Sequence, residues 1–539
     1  MVETVVPTLA HRRRAVVTSV VTALAATALA ACGTSGSPSA ADRTEVSVMI
    51  PALGDLLDPR AAAGPADGGL LIGLEPLLRY QPDGSLAPDL ATAVKQPDEL
   101  DYVFTIRHGV KFWDGSTLTP EDVAYSLSLH IGKNSQSQNA ALFTSVASVK
   151  ATGDDQVEVH LSRPDPQLEY SVAQIGIVSQ AFYDKHGKSV GTPSVLNMGT
   201  GPYKFAGFTP SKEIKFVANP AYWGPKPSYQ KLTVDVVSDD AARLNGLQSG
   251  AYDVAFNLPL SQVASVARLK NLQLANTPDV SVYKFNLNVG TTPWNDIHLR
   301  RAFAMAIDRP GIVAGALSGN AVLAPTLVPE PVMQKFAGAQ TTTAYQQMEK
   351  GYPYDIQAAK AELAKSSRPN GLTTQVLVTS SDPNLALIAQ TAAQSLAKIG
   401  IKLEVKQVDD PTYYNAVYFK HTTQGVSLDL FSAAAPDAAN IPIYSLLSAN
   451  SLVKGGGGQN ISDYVNPAVD TLLEKSQRNA SDKAAAGAAL LSALETAQQD
   501  VPYVPIAFPK IYDAAAAGLH IEGFDAFWWM VDWPEHLAG

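Results

Sequence analysis

A single cysteine, Cys32, stands in a chain of 539 residues, so no disulfide can form within it and its stability must come from core burial. Charge is also scarce: 17 % of residues are charged, and the balance is −10, or −12 once Glu3, Arg12, Arg13 and Arg14 of the first 31 residues are set aside. An acidic chain of this kind has no basic field for the phosphate backbone, so nucleic acid is not an expected partner. The nine histidines are scattered, and none has the i, i+4 or paired-ligand spacing of a metal site. Beyond residue 31 no apolar run is long and uncharged enough to cross a bilayer. Nucleophile elbow, Walker loop and dinucleotide fingerprint are all missing, so neither a cofactor nor an enzymatic activity is expected. A pair of catalytic carboxylates stays open on sequence alone, because such residues meet in space and need not be close in the chain.

What is present begins with a leader. His11-Arg12-Arg13-Arg14 precedes an apolar run from Ala15 to Ala31 that ends in small residues, the three-part pattern of a secretory signal. Leu29-Ala30-Ala31-Cys32 looks like a bacterial lipobox, which implies cleavage before Cys32 and lipid on its sulfur. The expectation is a signal peptide over residues 1–31 and a flexible tether over 32–44, where Gly, Ser, Thr and Pro dominate. Two acyl chains hold stably where one is marginal, at about 0.8 kcal/mol per buried CH₂. The apolar content of 46 % suits a large folded body of two or three lobes.

Within that body, short β-rich runs alternate with helical segments, which supports an α/β or α+β class. Tyr102–Arg107 and Val110–Trp113 read as the arms of a hairpin turned at His108-Gly109. Thr119-Pro120-Glu121-Asp122 supplies an N-cap, a proline at N1 and an acid at N3, and predicts a helix start. Asp239 to Gly250 reads as a helix with a glycine stop, followed by a strand over Tyr252–Phe256. Asp296 and Asp308 each read as the N-cap of a further helix.

Several landmarks, in order, resemble the family 5 extracellular solute-binding proteins, the peptide-binding receptors of ABC importers. They are Leu57-Asp58-Pro59, Leu74-Glu75-Pro76, the block from Tyr102 to Gly115, Gly199-Thr200-Gly201-Pro202-Tyr203, Asn219-Pro220-Ala221-Tyr222-Trp223, and Ala306-Ile307-Asp308-Arg309. Late elements include Asn466-Pro467 and Val501-Pro502-Tyr503-Val504-Pro505. The resemblance implies an α/β, periplasmic-binding-protein-like two-lobed fold of the class II type, with an extra domain inserted in the first lobe. The family layout would place lobe I at 45–76, 198–280 and 505–539, the inserted domain at 77–197 and lobe II at 281–504. It also implies a monomeric, lipid-anchored receptor on the outer face of the bacterial cytoplasmic membrane. Such a receptor captures an oligopeptide between its lobes and passes it to an ABC permease and its ATPase. The same fold could instead bind haem, a metal chelate, a sugar or a glycolipid, or serve as an envelope regulator or scaffold.

Three residues are candidates for ligand contact. In peptide-binding relatives a strand of the pattern D-x-x-x-x-G-W-x-x-D ends in an aspartate that pairs with the peptide amine. Here the stretch is Asp429 to Asp437, with the tryptophan missing and Asp437 one residue early. The carboxy-terminal aromatics Phe524, Phe527, Trp528, Trp529 and Trp533 read first as packing. Trp528 and Trp529, adjacent and therefore aimed apart if extended, offer an apolar ligand wall as the alternative. Trp113, Trp223 and Trp294 read as packing.

Overall fold

Alternating burial along Glu45–Ile50 sets the strand on which the first half of the molecule is built. It pairs in parallel with Lys231–Val236 on one side and Val254–Ala255 on the other. The computed structural model describes residues 43–537 apart from 62–68, 83, 133–134, 166, 424, 434–437, 456–458, 479–481 and 521–526. Cys32, Asp437 and Phe524 lie outside the described residues, as do the leader and most of the tether. Among the described residues no helix is long and apolar enough to cross a membrane.

The fold is mixed α/β and two-lobed, and one strand, Tyr503–Ala516, serves both lobes. Its first half pairs antiparallel with Val282–Leu287 and Ala321–Leu323, and its second half with Leu272–Pro278 and Val254–Ala255. The change of partners falls at Pro509 and Lys510, where a proline ring removes one ladder donor and thins the sheet. Around the first half, cores built on Phe285, Phe303 and Ile388 and on Met333, Leu490 and Phe508 make one lobe. Around the second half, a core with Val48, Phe216, Phe256 and Trp528 makes the other. Val282–Leu287 is buried at every position, as a strand covered on both faces must be.

A separate four-stranded sheet, in the order Ala91–Lys95, Asp101–Ile106, Gln156–Leu161, Val146–Thr152, shares the core of Val48, Phe216, Phe256 and Trp528 through Phe104, Ile106 and Val157. Here the expected hairpin does not form. Asp101–Ile106 is an inner strand whose two edges are taken by Ala91–Lys95 and Gln156–Leu161, so no edge remains for Val110–Trp113. Gly109 does turn the chain, at φ +78°, but the next residues close on themselves through Phe112 N–H to Ser116 O and Leu118 N–H to Val110 O. The helix after it starts where its capping residues predict, at Pro120–Ser128. Thr119 and Asp122 exchange side-chain to backbone bonds as a capping box. Asp239, Asp296 and Asp308 likewise cap the helices Asp240–Ser249, Ile297–Ala306 and Arg309–Ala314. The strand expected over Tyr252–Phe256 is confined to Val254–Ala255.

Landmarks far apart in sequence meet in space at the buried carboxylate of Glu75. Thr200 donates to it at 2.6 Å, Tyr222 at 2.7 Å and the indole N–H of Trp223 at 3.1 Å. Gly199 is required there, because a Cβ at that position would collide with the carbonyl oxygen of Gly73. Trp113 bonds to the Gly201 carbonyl and Trp294 is fully buried, so these motifs shape the fold.

Candidate functional site

The change of strand partners places a cavity of about 890 Å³ between the lobes. Asp279, Val280, Pro509, Lys510 and Ile511 form its base, where the two lobes share backbone. One wall comes from the second lobe, led by Tyr283, Asp382 and Asn384; the other comes from the first, led by Asn257, Leu258 and Trp529. Asn139 and Gln174, from near the four-stranded sheet, add amides at one end. Among the described lining residues Lys510 carries the only positive charge, against the acids Asp279 and Asp382.

Asp382 owes its position to local helix chemistry. Ser381-Asp382-Pro383 combines an N-cap acid with a proline at N1, and the helix Pro383–Leu396 starts there. One Asp382 oxygen accepts the Asn384 N–H at 2.9 Å, and the other accepts the Tyr283 hydroxyl at 3.1 Å. Burial pushes the carboxyl above the usual carboxylate range, while those hydrogen bonds pull it back down. A cation brought into the cavity would favour its ionised form and gain a charge-assisted bond.

Behind the cavity wall the alternation of strand residues sends charges the other way. Tyr283 and Leu430, cross-strand partners, face the cavity, while Lys284 and Asp429, the next pair, are buried on the opposite side. Lys284 Nζ lies 3.1 Å from both Asp429 oxygens, 2.5 Å from Asn286 Oδ1 and 5.0 Å from the Phe431 ring centre. Burial lowers its ammonium pKa and Asp429 opposes that. The tyrosine at 418 donates to Asp429 at 3.0 Å, so the pair is structurally satisfied and unavailable to a ligand.

A second buried cluster lies under the first-lobe wall. Arg79 Nη2 meets Asp89 at 2.6 Å and Glu75 at 3.9 Å, and its Nη1 lies 3.9 Å from Asp532. Three carboxylates around one guanidinium cannot all ionise cheaply in a dry site. Burial pushes Asp532 up to about 7 against the pull of Arg79, with Glu535 and Glu75 adding to the rise.

Of the sequence candidates, the structure brings one to the cavity. Trp529 lines it beside Phe527 while only 4 % exposed. Trp528 does not line it: its ring stacks on Phe256 at 4.1 Å and 4°, fully buried in the first-lobe core. Trp533 packs against the same phenylalanine. Tyr283, Asp382, Asn384, Asn257 and Lys510 were not among the candidates. Only the capping pattern at Asp382 left a trace in the sequence, and it announces a helix start without saying what the start faces.

Two lobes sharing a strand, with a polar and aromatic cavity at the point of sharing, are the architecture of a solute-binding protein. The match to known proteins makes this specific: the chain belongs to the bacterial extracellular solute-binding proteins, family 5, whose model covers residues 85–451. The glutathione-binding protein GsiB of Escherichia coli O6:K15:H31 is 27 % identical over 443 residues, covering 81 % of this chain and 82 % of that one. The probable D,D-dipeptide-binding periplasmic protein DdpA of Escherichia coli K12 is 29 % identical over 410 residues, 74 % of this chain and 75 % of its own. Among solved structures, the periplasmic binding protein DppA of Helicobacter pylori in complex with the peptide STSA shares the fold. It aligns at a TM-score of 0.72 and 22 % identity over 92 % of this chain and 97 % of its own.

Proposed function

We propose that the chain is the substrate-binding component of an ABC importer and that it captures short peptides between its lobes without chemically altering them. The observation that carries this reading is the inter-lobe cavity itself, with carboxylates and a lysine separated by amide and apolar wall. A zwitterionic peptide supplies a complementary ammonium, carboxylate and backbone amides, and Trp529 with Leu258 would take an apolar side chain. The names of its relatives, which mention glutathione, a D,D-dipeptide and the peptide STSA, support the same class. Closure would follow from contacts made to both lobes at once, and the permease would then receive the closed form.

Asp437 stays in this reading as a second acid for the peptide amine, and Cys32 as the lipid attachment point that holds the receptor at the membrane. The layout of lobe I, inserted domain and lobe II at 45–76, 198–280, 505–539, 77–197 and 281–504 belongs to the same proposal. Native mass spectrometry of the purified chain with a defined pool of di- to pentapeptides, followed by calorimetric titration of the retained ones, tests it. Retention of peptides that titrate one to one is expected; a chain that retains none of the pool would sink the peptide reading.

A further inference from the structure

Asn257 combines features that structural economy does not explain. Its backbone is left-handed, at φ +55°, a region that most L side chains avoid and that asparagine tolerates better than they do. The surroundings hold it there. The Asn257 N–H donates to Asp513 Oδ1 at 2.8 Å, and the Arg243 guanidinium donates from Nη2 to the carbonyls of Phe256 at 2.6 Å and of Asn257 at 3.1 Å. The next N–H, of Leu258, bonds to the Tyr512 carbonyl at 2.7 Å. Both Tyr512 and Asp513 belong to the strand shared by the lobes, and Arg243 is a buried cation brought in from the helix Asp240–Ser249.

So much holding serves a side chain whose own oxygen is unused. Asn257 lines the inter-lobe cavity, and its Oδ1 is buried with no hydrogen-bond partner among the described residues. A buried amide oxygen without a donor destabilises the empty protein, and a bound molecule that supplies the donor recovers that loss. The position would accept glycine at lower backbone strain, yet it carries an amide.

We propose that Asn257 is a ligand-contacting residue whose amide oxygen accepts a hydrogen bond from an N–H of the bound solute, and that Arg243 and Asp513 are positioning residues that fix its turn. The ligand class is one that presents an amide or ammonium N–H to the first-lobe wall while its other end meets the second lobe. This rests on the reading of the cavity as the solute site.

The test uses the full chain and the tightest-binding tripeptide from a defined pool. Asn257→Gly keeps the left-handed turn and removes only the amide, so its Kd should rise roughly 5- to 10-fold while Tm stays within about 2 °C of the parent. Asn257→Asp keeps an acceptor and should hold Kd within about threefold of the parent. Asp513→Ala should weaken binding alone yet add nothing on top of Asn257→Gly, since both act through one contact. If Asn257→Gly binds like the parent with an unchanged Tm, or if its loss and that of Asp513→Ala are additive, the inference falls and the peptide reading stands. A parent chain that binds no member of the pool overturns both.

Discussion

At the scale of single residues, the two buried charge clusters behave oppositely. Lys284 and Asp429 neutralise each other one to one, with Asn286 and Tyr418 satisfying the remaining valences. Removing one partner leaves an uncompensated charge in a dry core, so Asp429→Ala should lower stability by about 3 to 5 kcal/mol. The double variant Lys284→Met with Asp429→Leu should recover most of that loss, and urea unfolding of the three proteins reads the difference. Around Arg79 there are more acids than the guanidinium can balance, and Asp532 holds a proton up to about pH 7 when folded. A carboxyl whose folded pKa is raised binds its proton more tightly in the native state. It therefore favours folding below its unfolded pKa near 4, and that contribution is lost as pH rises toward 7. Asp532→Asn, permanently neutral, should escape the loss. Its Tm relative to the parent is expected to rise by roughly 2 to 5 °C between pH 4 and pH 8, and a pH-independent difference would refute the assignment.

At the scale of elements, caps carry more of the local specification than periodicity does. In the box of Thr119 and Asp122, the second Asp122 oxygen also accepts the Gln180 N–H, the start of the neighbouring helix. Thr119→Ala should therefore cost about 1 kcal/mol, readable as a lower urea midpoint, with amide exchange quickened at both helix starts. Such caps are legible in sequence because donor and acceptor are three residues apart. Strand pairing is not, and the misread hairpin at Tyr102–Trp113 shows why. Both arms have strand formers and a good turn, but the edge the second arm needs is taken by Gln156–Leu161, some fifty residues away. The cavity was less legible still. Trp529 could be suspected from its neighbour, whereas Asp382, Asn257 and Lys510 acquire their setting only when the lobes share a strand. Nothing local marks Lys284 and Asp429 except a single charge in each of two apolar strands, and the register Lys284 to Asp429 is what pairs them.

At the scale of the whole molecule, the proposed function makes ligand binding and lobe closure one event. A peptide that contacts both walls stabilises only the folded, closed chain, so a concentration of one hundred times Kd should add about 2.7 kcal/mol to the unfolding free energy. The same addition should shrink the radius of gyration in solution scattering. If stabilisation appears without compaction, binding to one lobe alone would explain it. The proposed lipid attachment is separable from capture: if Cys32 carries it, Cys32→Ser should release the protein from membranes to the soluble fraction with peptide affinity unchanged, as fractionation and titration together would read.

The shared strand also sets an order of events during synthesis. Tyr503–Ala516 lies near the end of the chain, and both lobes need it, one beside Val282–Leu287 and the other beside Val254–Ala255. A ribosome has delivered more than nine-tenths of the sequence before either sheet can be completed. The four-stranded sheet and the pairing of Glu45–Ile50 with Lys231–Val236 need no such wait, so the joining of the two lobes is the step that the shared strand delays.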